Sequence, residues 1–362
     1  VAYGLACLRF ADLAPTAEPF ADWLRRHGQT ARTIERYWGT VLVSALNERL
    51  DQMDVGHARK VFLDGFLRNR QGYVMEVPLA PLGEIYGTRL EAWLATKGVE
   101  VRLSTGVRAV EVDDEGGVTG LTLRSGERVP ADFVVLTVPF DRVQGLLPPS
   151  VHDRMPTLSR INALESSPIT GVHLWFDRPV CPLEHAAVVG RLVQWVFNHS
   201  ALQGRQAPEG GGEYLQIVIS ASYDLVSKSK QEILDAVLAD LAALWPEVRS
   251  ATLVRSWVVT EHGATFAVRP GVDAHRLAQR TPIDGLFLAG DWTATGWPAT
   301  MEGAVRAGYL AAEGILRDLG CPEHLIRPDL PSSWLSHLML GPPTPFVPGA
   351  SGTSIRAAAP VR

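Results

Sequence analysis

The chain has 362 residues, 46% of them hydrophobic and 20% charged, which is ordinary globular composition and enough chain for two cores rather than one. Its 39 acidic and 34 basic residues are scattered without long runs and leave a formal net charge of -5, so there is no electrostatic footprint for nucleic acid. Three widely separated cysteines, Cys7, Cys181 and Cys321, argue against a secreted disulfide framework and give no metal-ligand spacing, and no apolar run approaches the ~18 residues that span a bilayer.

The chain opens on VAYGLACLRF, with neither an initiator Met nor a signal-peptide pattern, and reads as cut from something longer. From Pro19 to about Leu67 apolar residues recur at helical spacing, with Thr30 placed to cap TARTIERYWGTVLVSALNERL. A further helix is predicted over Leu82 to Lys97, closed by Gly98. Strands are predicted next, in VEVRL, VRAVEVDD, GVTGLTLRSG and ADFVVLTVP between residues 99 and 138. The middle pieces make a meander, whereas ADFVVLTVP is a continuous apolar run of the kind buried on both faces of a parallel sheet.

From Pro148 to Thr281 the segments ITGVHLWF, RLVQWVFN, EYLQIVIS and ATLVRSWVVT alternate apolar and polar residues, and the amphipathic helix KQEILDAVLADLAALWP separates the last two. This predicts a second domain on a largely antiparallel sheet. GLFLAGD, the loop TATGWPAT and the helix MEGAVRAGYLAAEGILRDLG then give strand, glycine loop and helix, the shape of a nucleotide-binding crossover. Pro, Gly, Ser and Ala dominate the end of the chain and predict a disordered tail over 340–362.

The densest chemistry lies in residues 286 to 313. The apolar strand delivers Gly290 and Asp291 to its C-terminal edge, where open α/β sheets bind ligands; Gly290 permits close backbone approach and Asp291 offers a carboxylate to a hydroxyl. Pro298 stands just before a helix starting near Thr300, so the backbone N–H groups of Thr300, Met301 and Glu302 face outward towards an electron-rich ligand. The competing reading is a glycine-capped surface turn with Asp291 a mere cap.

This stretch resembles the C-terminal flavin motif of the amine oxidase and phytoene desaturase superfamily. The resemblance implies that FAD is the cofactor, that Asp291 holds its ribitol, and that Gly290, Thr300, Met301 and Glu302 are flavin contacts. VEVRLSTGVRAVEV with the following meander is similar to the superfamily's middle FAD segment, which implies a backbone contact from Val107 to the adenine; a core position for Val107 is the competing reading. The superfamily's opening G-x-G-x-x-G turn is not found in this sequence. The expected fold is therefore α/β, α+β overall: an incomplete FAD-binding Rossmann-like domain (82–147 and 282–320, first βαβ absent) with a substrate domain of antiparallel sheet and helices (1–81 and 148–281). Loss of the first segment leads us to expect weak FAD binding by residues 1–362 alone, and a hydrophobic groove where Val134, Val135, Leu136, Phe287 and Leu288 lose their neighbours.

ADWLRRHGQTARTIERYWGTVLVSALNE, ITGVHLWFDRPV with RLVQWVFN, and VVTEHGATFAVRPG resemble the squalene-associated branch, the hydroxysqualene dehydroxylases of hopanoid-type biosynthesis. With DWTATGWPATMEGAV they cover most of residues 20 to 315. The resemblance implies an apolar isoprenoid substrate: a C30 alcohol loses hydroxide, gains a hydride from reduced FAD and becomes squalene. It also implies a cytoplasmic enzyme, peripheral on the membrane and served by upstream squalene-pathway enzymes. An allylic cation is stabilised by aromatic faces, and Trp38, Trp195, Phe197, Trp257, Trp292 and Trp297 are candidates for its tunnel, with core packing the alternative for each. Glu261 and His262 are the candidate general acids for the leaving hydroxyl, against a bland strand-end turn. Three alternatives stay open: a carotenoid-type desaturase, an amine oxidase, and a truncated fragment that cannot hold FAD.

Overall fold

The computed structural model describes residues 1–11, 18–204 and 212–340; the predicted tail, from Gly341 on, lies outside them. The chain divides into two units. One comprises Glu18–Ser104 and Ser166–Pro270 with the N-terminal helix Ala2–Arg9; the other comprises Thr105–Glu165 and the described residues from Gly271 on. These limits depart from the sequence boundaries in giving residues 82–104 to the first unit, and 148–165 and 271–281 to the second. The 3-10 helices Pro156–Ala163 and Val272–His275 pack on each other, which ties both of the latter stretches together.

Ten strands run through the described residues: β1 (Val107–Val112), β2 (Val118–Leu123), β3 (Arg128–Pro130), β4 (Val134–Leu136), β5 (Ser166–Phe176), β6 (His185–Ala187), β7 (Trp195–Asn198), β8 (Glu213–Ser220), β9 (Leu253–Phe266) and β10 (Leu286–Leu288). The architecture is the mixed α/β class expected. VEVRL is a correction, because residues 99–103 form no strand. The segment belongs to none of the three sheets of the described residues, and Val99, Val101 and Leu103 are exposed.

In the second unit β1, β2 and β3 form the predicted antiparallel meander, and β10 lies parallel to β4 with Leu286 opposite Val134 and Leu288 opposite Leu136. The helix Met301–Asp318 covers this pair, with Ala307 and Ala311 packed against Phe287. Gly314 is small because a Cβ there would meet the Phe287 ring at 2.4 Å. Beneath that cover Val134, Leu136, Phe287 and Leu288 are buried, whereas Val135 is exposed and β4 pairs with β10 alone among the described strands.

In the first unit the sheet order is β6-β7-β8-β5-β9, all antiparallel. β5 alternates strictly: Val172, Leu174 and Phe176 point into a core shared with Ile217 of β8 and with Ile233, Val237 and Leu241 of the helix Lys230–Leu244. A capping box between Ser229 and Glu232 starts that helix. Glu261 and His262 lie within β9 rather than at a strand-end turn, because Ser166 and Ser167 continue the pairing to Phe266 and Thr265 beyond an irregular stretch.

Thr30 caps the helical region as predicted, its hydroxyl accepting from Thr33 N at 3.2 Å. Ala31–Thr33, the π-helical Ile34–Gly39 and Thr40–Leu46 follow without a break. They bury Trp38 completely between Phe20, at 5.7 Å, and Phe62, at 4.8 Å between ring centroids. At the end of this run Asn47 turns left-handed, with φ 51. Its amide nitrogen donates to Ser167 O at 3.1 Å and Thr265 Oγ1 at 2.9 Å, its amide oxygen accepts from Ala221 N at 2.6 Å, and its carbonyl accepts from the Ser167 hydroxyl. One buried residue thus pins the helices to β5, β9 and the end of β8. Asn47→Ala is expected to leave these groups unpaired and to cost about 2–3 kcal/mol, read as a lower urea midpoint by tryptophan fluorescence; Asn47→Gly should recover only the backbone share.

Candidate functional site

In the second unit, the short strand β10 ends at Leu288, and Ala289 N still donates to Leu136 O at 2.9 Å, so Gly290 and Asp291 emerge at the C-terminal edge of a parallel pair. Gly290 has φ 132, and a Cβ on it would meet the Trp292 indole nitrogen at 2.6 Å. Trp292 is buried and donates to Val138 O at 3.1 Å, which fixes the floor under the turn. No side chain among the described residues donates to the Asp291 carboxylate. Burial pushes its carboxyl above the ordinary value, against the opposing effects of the Trp292 N–H and the Arg276 guanidinium.

Thr300 is the cap of the helix Met301–Asp318, its hydroxyl accepting from Gly303 N at 3.1 Å. The Met301 and Glu302 N–H groups have no acceptor within the helix and point out of its positive end. A Cβ on Gly303 would meet Pro298 O at 2.9 Å, so only glycine lets the loop close on the first turn. Glu302 is ion-paired with Arg306, whose guanidinium also lies 4.9 Å over the Trp297 ring. Val107 opens β1 at a register irregularity and is half-buried.

Beneath the loop lies a feature the sequence reading missed. Arg276, its side chain 1% exposed, aims its guanidinium into residues 291–297 and ion-pairs with Asp273 at 2.8 Å. Its Nη2 donates to Asp291 O at 2.9 Å, Thr293 O at 2.6 Å, Thr295 Oγ1 at 3.2 Å and Trp297 O at 2.8 Å. Gln279 adds bonds to Thr293 Oγ1 at 2.9 Å and Ala294 O at 3.1 Å.

In the first unit, the face of the sheet opposite the core is aromatic. Register places His173 beside Trp257 and Gln216, Trp175 beside Arg255 and Tyr214, and Phe197 beside Gln216. Trp175 stacks on Tyr214 at 4.6 Å and 4°, Tyr214 on His199 at 4.9 Å, and Trp195 on Phe197 at 5.7 Å and 10°. Arg255 sits 5.0 Å over Trp175, His173 Nδ1 meets Tyr214 OH at 2.7 Å, and Trp195 Nε1 donates to Ser44 Oγ at 2.8 Å. Burial, with His199 nearby, lowers the His173 value. Glu261, opposite Ile169, shares this face with Trp257, whereas His262 is exposed in the irregular stretch that follows.

The structure therefore brings Trp195, Phe197, Trp257 and Glu261 onto one surface, and Gly290, Asp291, Trp292, Trp297, Thr300, Met301 and Glu302 around one loop. Trp38 stands apart in the helical core. His173, Trp175, Tyr214 and Arg255 went unnoticed although alternation along β5 and β9 marks them.

A strand end, a glycine turn, a carboxylate and a helix start thus come together at these positions. A family model described as flavin containing amine oxidoreductase matches residues 16–316, and the chain belongs to that family, whose cofactor is FAD. Among relatives, the 15-cis-phytoene desaturase of Capsicum annuum is 27% identical over 304 residues, covering 82% of this chain and 52% of that protein. The Synechococcus elongatus 15-cis-phytoene desaturase is 25% identical over 307 residues, covering 82% and 64%, and a probable zeta-carotene desaturase of the same organism is 26% identical over 320 residues, covering 82% and 66%. The chain spans about half the length of the plant relatives it matches. A putrescine oxidase variant shares the fold, with TM-score 0.65 at 17% identity, covering 87% of this chain and 73% of that one.

The residues fit the cofactor: a half-buried carboxylate reached only by backbone donors suits ribityl hydroxyls, and the free N–H groups of a long helix suit an electron-rich ring edge. The raised carboxyl value carries a consequence for stability. A group raised in the folded state contributes stability below its ordinary value and loses it as pH rises through the folded value. Asp291→Asn is expected to melt higher than wild type at pH 7, with the gap shrinking as pH falls towards the ordinary carboxylate value, as followed by circular dichroism.

Proposed function

We propose that this chain carries the substrate face and the flavin loop of an FAD-dependent oxidoreductase acting on a long isoprenoid, most directly the reductive dehydroxylation of hydroxysqualene to squalene. The observation behind this reading is the aromatic face of the β5–β9 sheet, on which register sets Trp195, Phe197 and Trp257 on one side as π surfaces for an apolar chain or a delocalised cation, with Trp175 held between Tyr214 and Arg255. Reduced flavin supplies the hydride that replaces the hydroxyl. Glu261, on the same face, gives its proton to the departing oxygen, which leaves as water. Asp291 and the start of the Met301–Asp318 helix hold the ribityl chain and ring edge, and Val107 contributes a backbone contact to the adenine. A C30 substrate reaches such an enzyme from a bilayer, so a peripheral site on the cytoplasmic face and hand-over from upstream squalene-pathway enzymes belong to the same proposal.

A second reading, carotenoid-type desaturation, is supported by the relatives named phytoene and zeta-carotene desaturases. It uses the same apolar face but requires a group that accepts protons from carbon rather than donating one to oxygen. Incubating the native protein anaerobically with reduced FAD and hydroxysqualene, and separately with oxidised FAD and phytoene, distinguishes the two by mass spectrometry of the products. Squalene supports the first reading and a desaturated product the second; flavin-loaded protein that turns over neither compound sinks both. On the first reading Glu261→Gln is expected to lower kcat by about 100-fold or more with KM little changed, whereas Trp257→Ala should act mainly on KM.

A further inference from the structure

We propose that Arg276 is the positioning residue of the flavin loop: its buried guanidinium sets the path of residues 291–297 and thereby the placement of Asp291 and of the helix start at Thr300. This assignment rests on the flavin reading of that loop. A loop of this length, with Trp292, Thr293 and Thr295 buried, has several backbone carbonyls with no partner in a ladder, and they must be satisfied by water or by a donor from within. Here one side chain does most of it, reaching the carbonyls of Asp291, Thr293 and Trp297 and the hydroxyl of Thr295. The carbonyl of Trp292 lies 3.4 Å from its Nε.

The geometry is specific to arginine. A planar guanidinium spreads its donors across a plane and reaches acceptors on several sides at once, whereas an ammonium is a compact point charge on a flexible stem. The ion pair to Asp273 holds the Nη1 side and leaves Nη2 directed at the loop. The chain around Arg276 is itself anchored, since Leu277 O accepts from Ala294 N at 2.8 Å and Leu288 N donates to Gln279 O at 2.8 Å. The loop is thus fastened to the segment that also brackets β10, and β10 delivers Asp291. Arg276 touches no reacting atom; it acts through the backbone that carries the carboxylate.

The test compares wild type with Arg276→Lys and Thr295→Val, the latter removing one acceptor while leaving the buried charge in place. Two readouts are taken: hydrogen exchange of the amides from 291 to 303 against those of β4 and β10, and FAD affinity of the native protein by quenching of flavin fluorescence. The assignment requires Arg276→Lys to speed exchange in the loop but not in the strands, and to weaken FAD by about 10- to 100-fold, the loss of a charge-assisted pair of bonds. Thr295→Val should move both in the same direction by less, and it carries the test if Arg276→Lys fails to fold. Unchanged loop exchange with unchanged FAD affinity overturns the assignment. Faster loop exchange with unchanged affinity overturns it too, because a structural tie alone would give that result. Wild-type protein that takes up no FAD, while its loop still responds to Arg276→Lys, removes the flavin reading and this assignment with it.

Discussion

β5 is hydrogen-bonded along both edges, to β8 on one side and β9 on the other, and that constraint organises the first unit. A central strand cannot tilt away from its neighbours, so its two faces must be used for different purposes. One face enters the core as Val172, Leu174 and Phe176; the other presents Gly171, His173 and Trp175. Because register is fixed on both sides, each of these residues determines what stands beside it, and the aromatic row from Trp257 to Phe197 follows from pairing alone. A slip by one residue would put His173 and Trp175 into the core and bring Leu174 to the surface. The Asn47 contacts lie at the Ser167 end of the same strand, so the helices are fastened where the register begins.

The second unit solves a different problem. Two short parallel strands offer little ladder to hold a loop, and the loop after β10 must nevertheless keep a carboxylate half out of water. Regular structure supplies only the direction of approach. Holding the loop falls to side chains from a non-regular segment, Arg276 and Gln279, and to glycines at positions where a Cβ would collide. Precision in this unit comes from satisfied carbonyls, whereas in the first it comes from strand register.

Sequence patterns made both arrangements partly readable. EYLQIVIS became β8 without change and the parallel pairing of β10 with β4 matches two short apolar runs, because alternation and continuous apolarity report directly on how many faces a strand buries. Thr30 and Gly98 carry the local chemistry of helix ends and behave accordingly. VEVRL misled because alternation says that a segment could pair and not that a partner is present. Trp38 misled in the other direction: a tryptophan looks the same in a sequence whether it lines a surface or, as here, fills a helical core beside Phe20 and Phe62. Arg276 was invisible, since its acceptors are backbone carbonyls 15 to 21 residues away and carbonyls leave no trace in residue identity.

The same distinction bears on Asp291. Burial opposes its ionisation, while the Arg276 guanidinium and the Trp292 N–H favour it. These influences are not independent, because Arg276 also fixes the backbone that places Trp292 N–H and the carboxylate in the same turn. Burial outweighs the other two, and the carboxyl lies above its ordinary value. A site that was fully satisfied without its ligand would gain nothing on binding; one left short of a donor gains the hydrogen bond it lacks. The loop is therefore tied along its backbone by Arg276, while its carboxylate is reached, among the described residues, by backbone N–H groups alone.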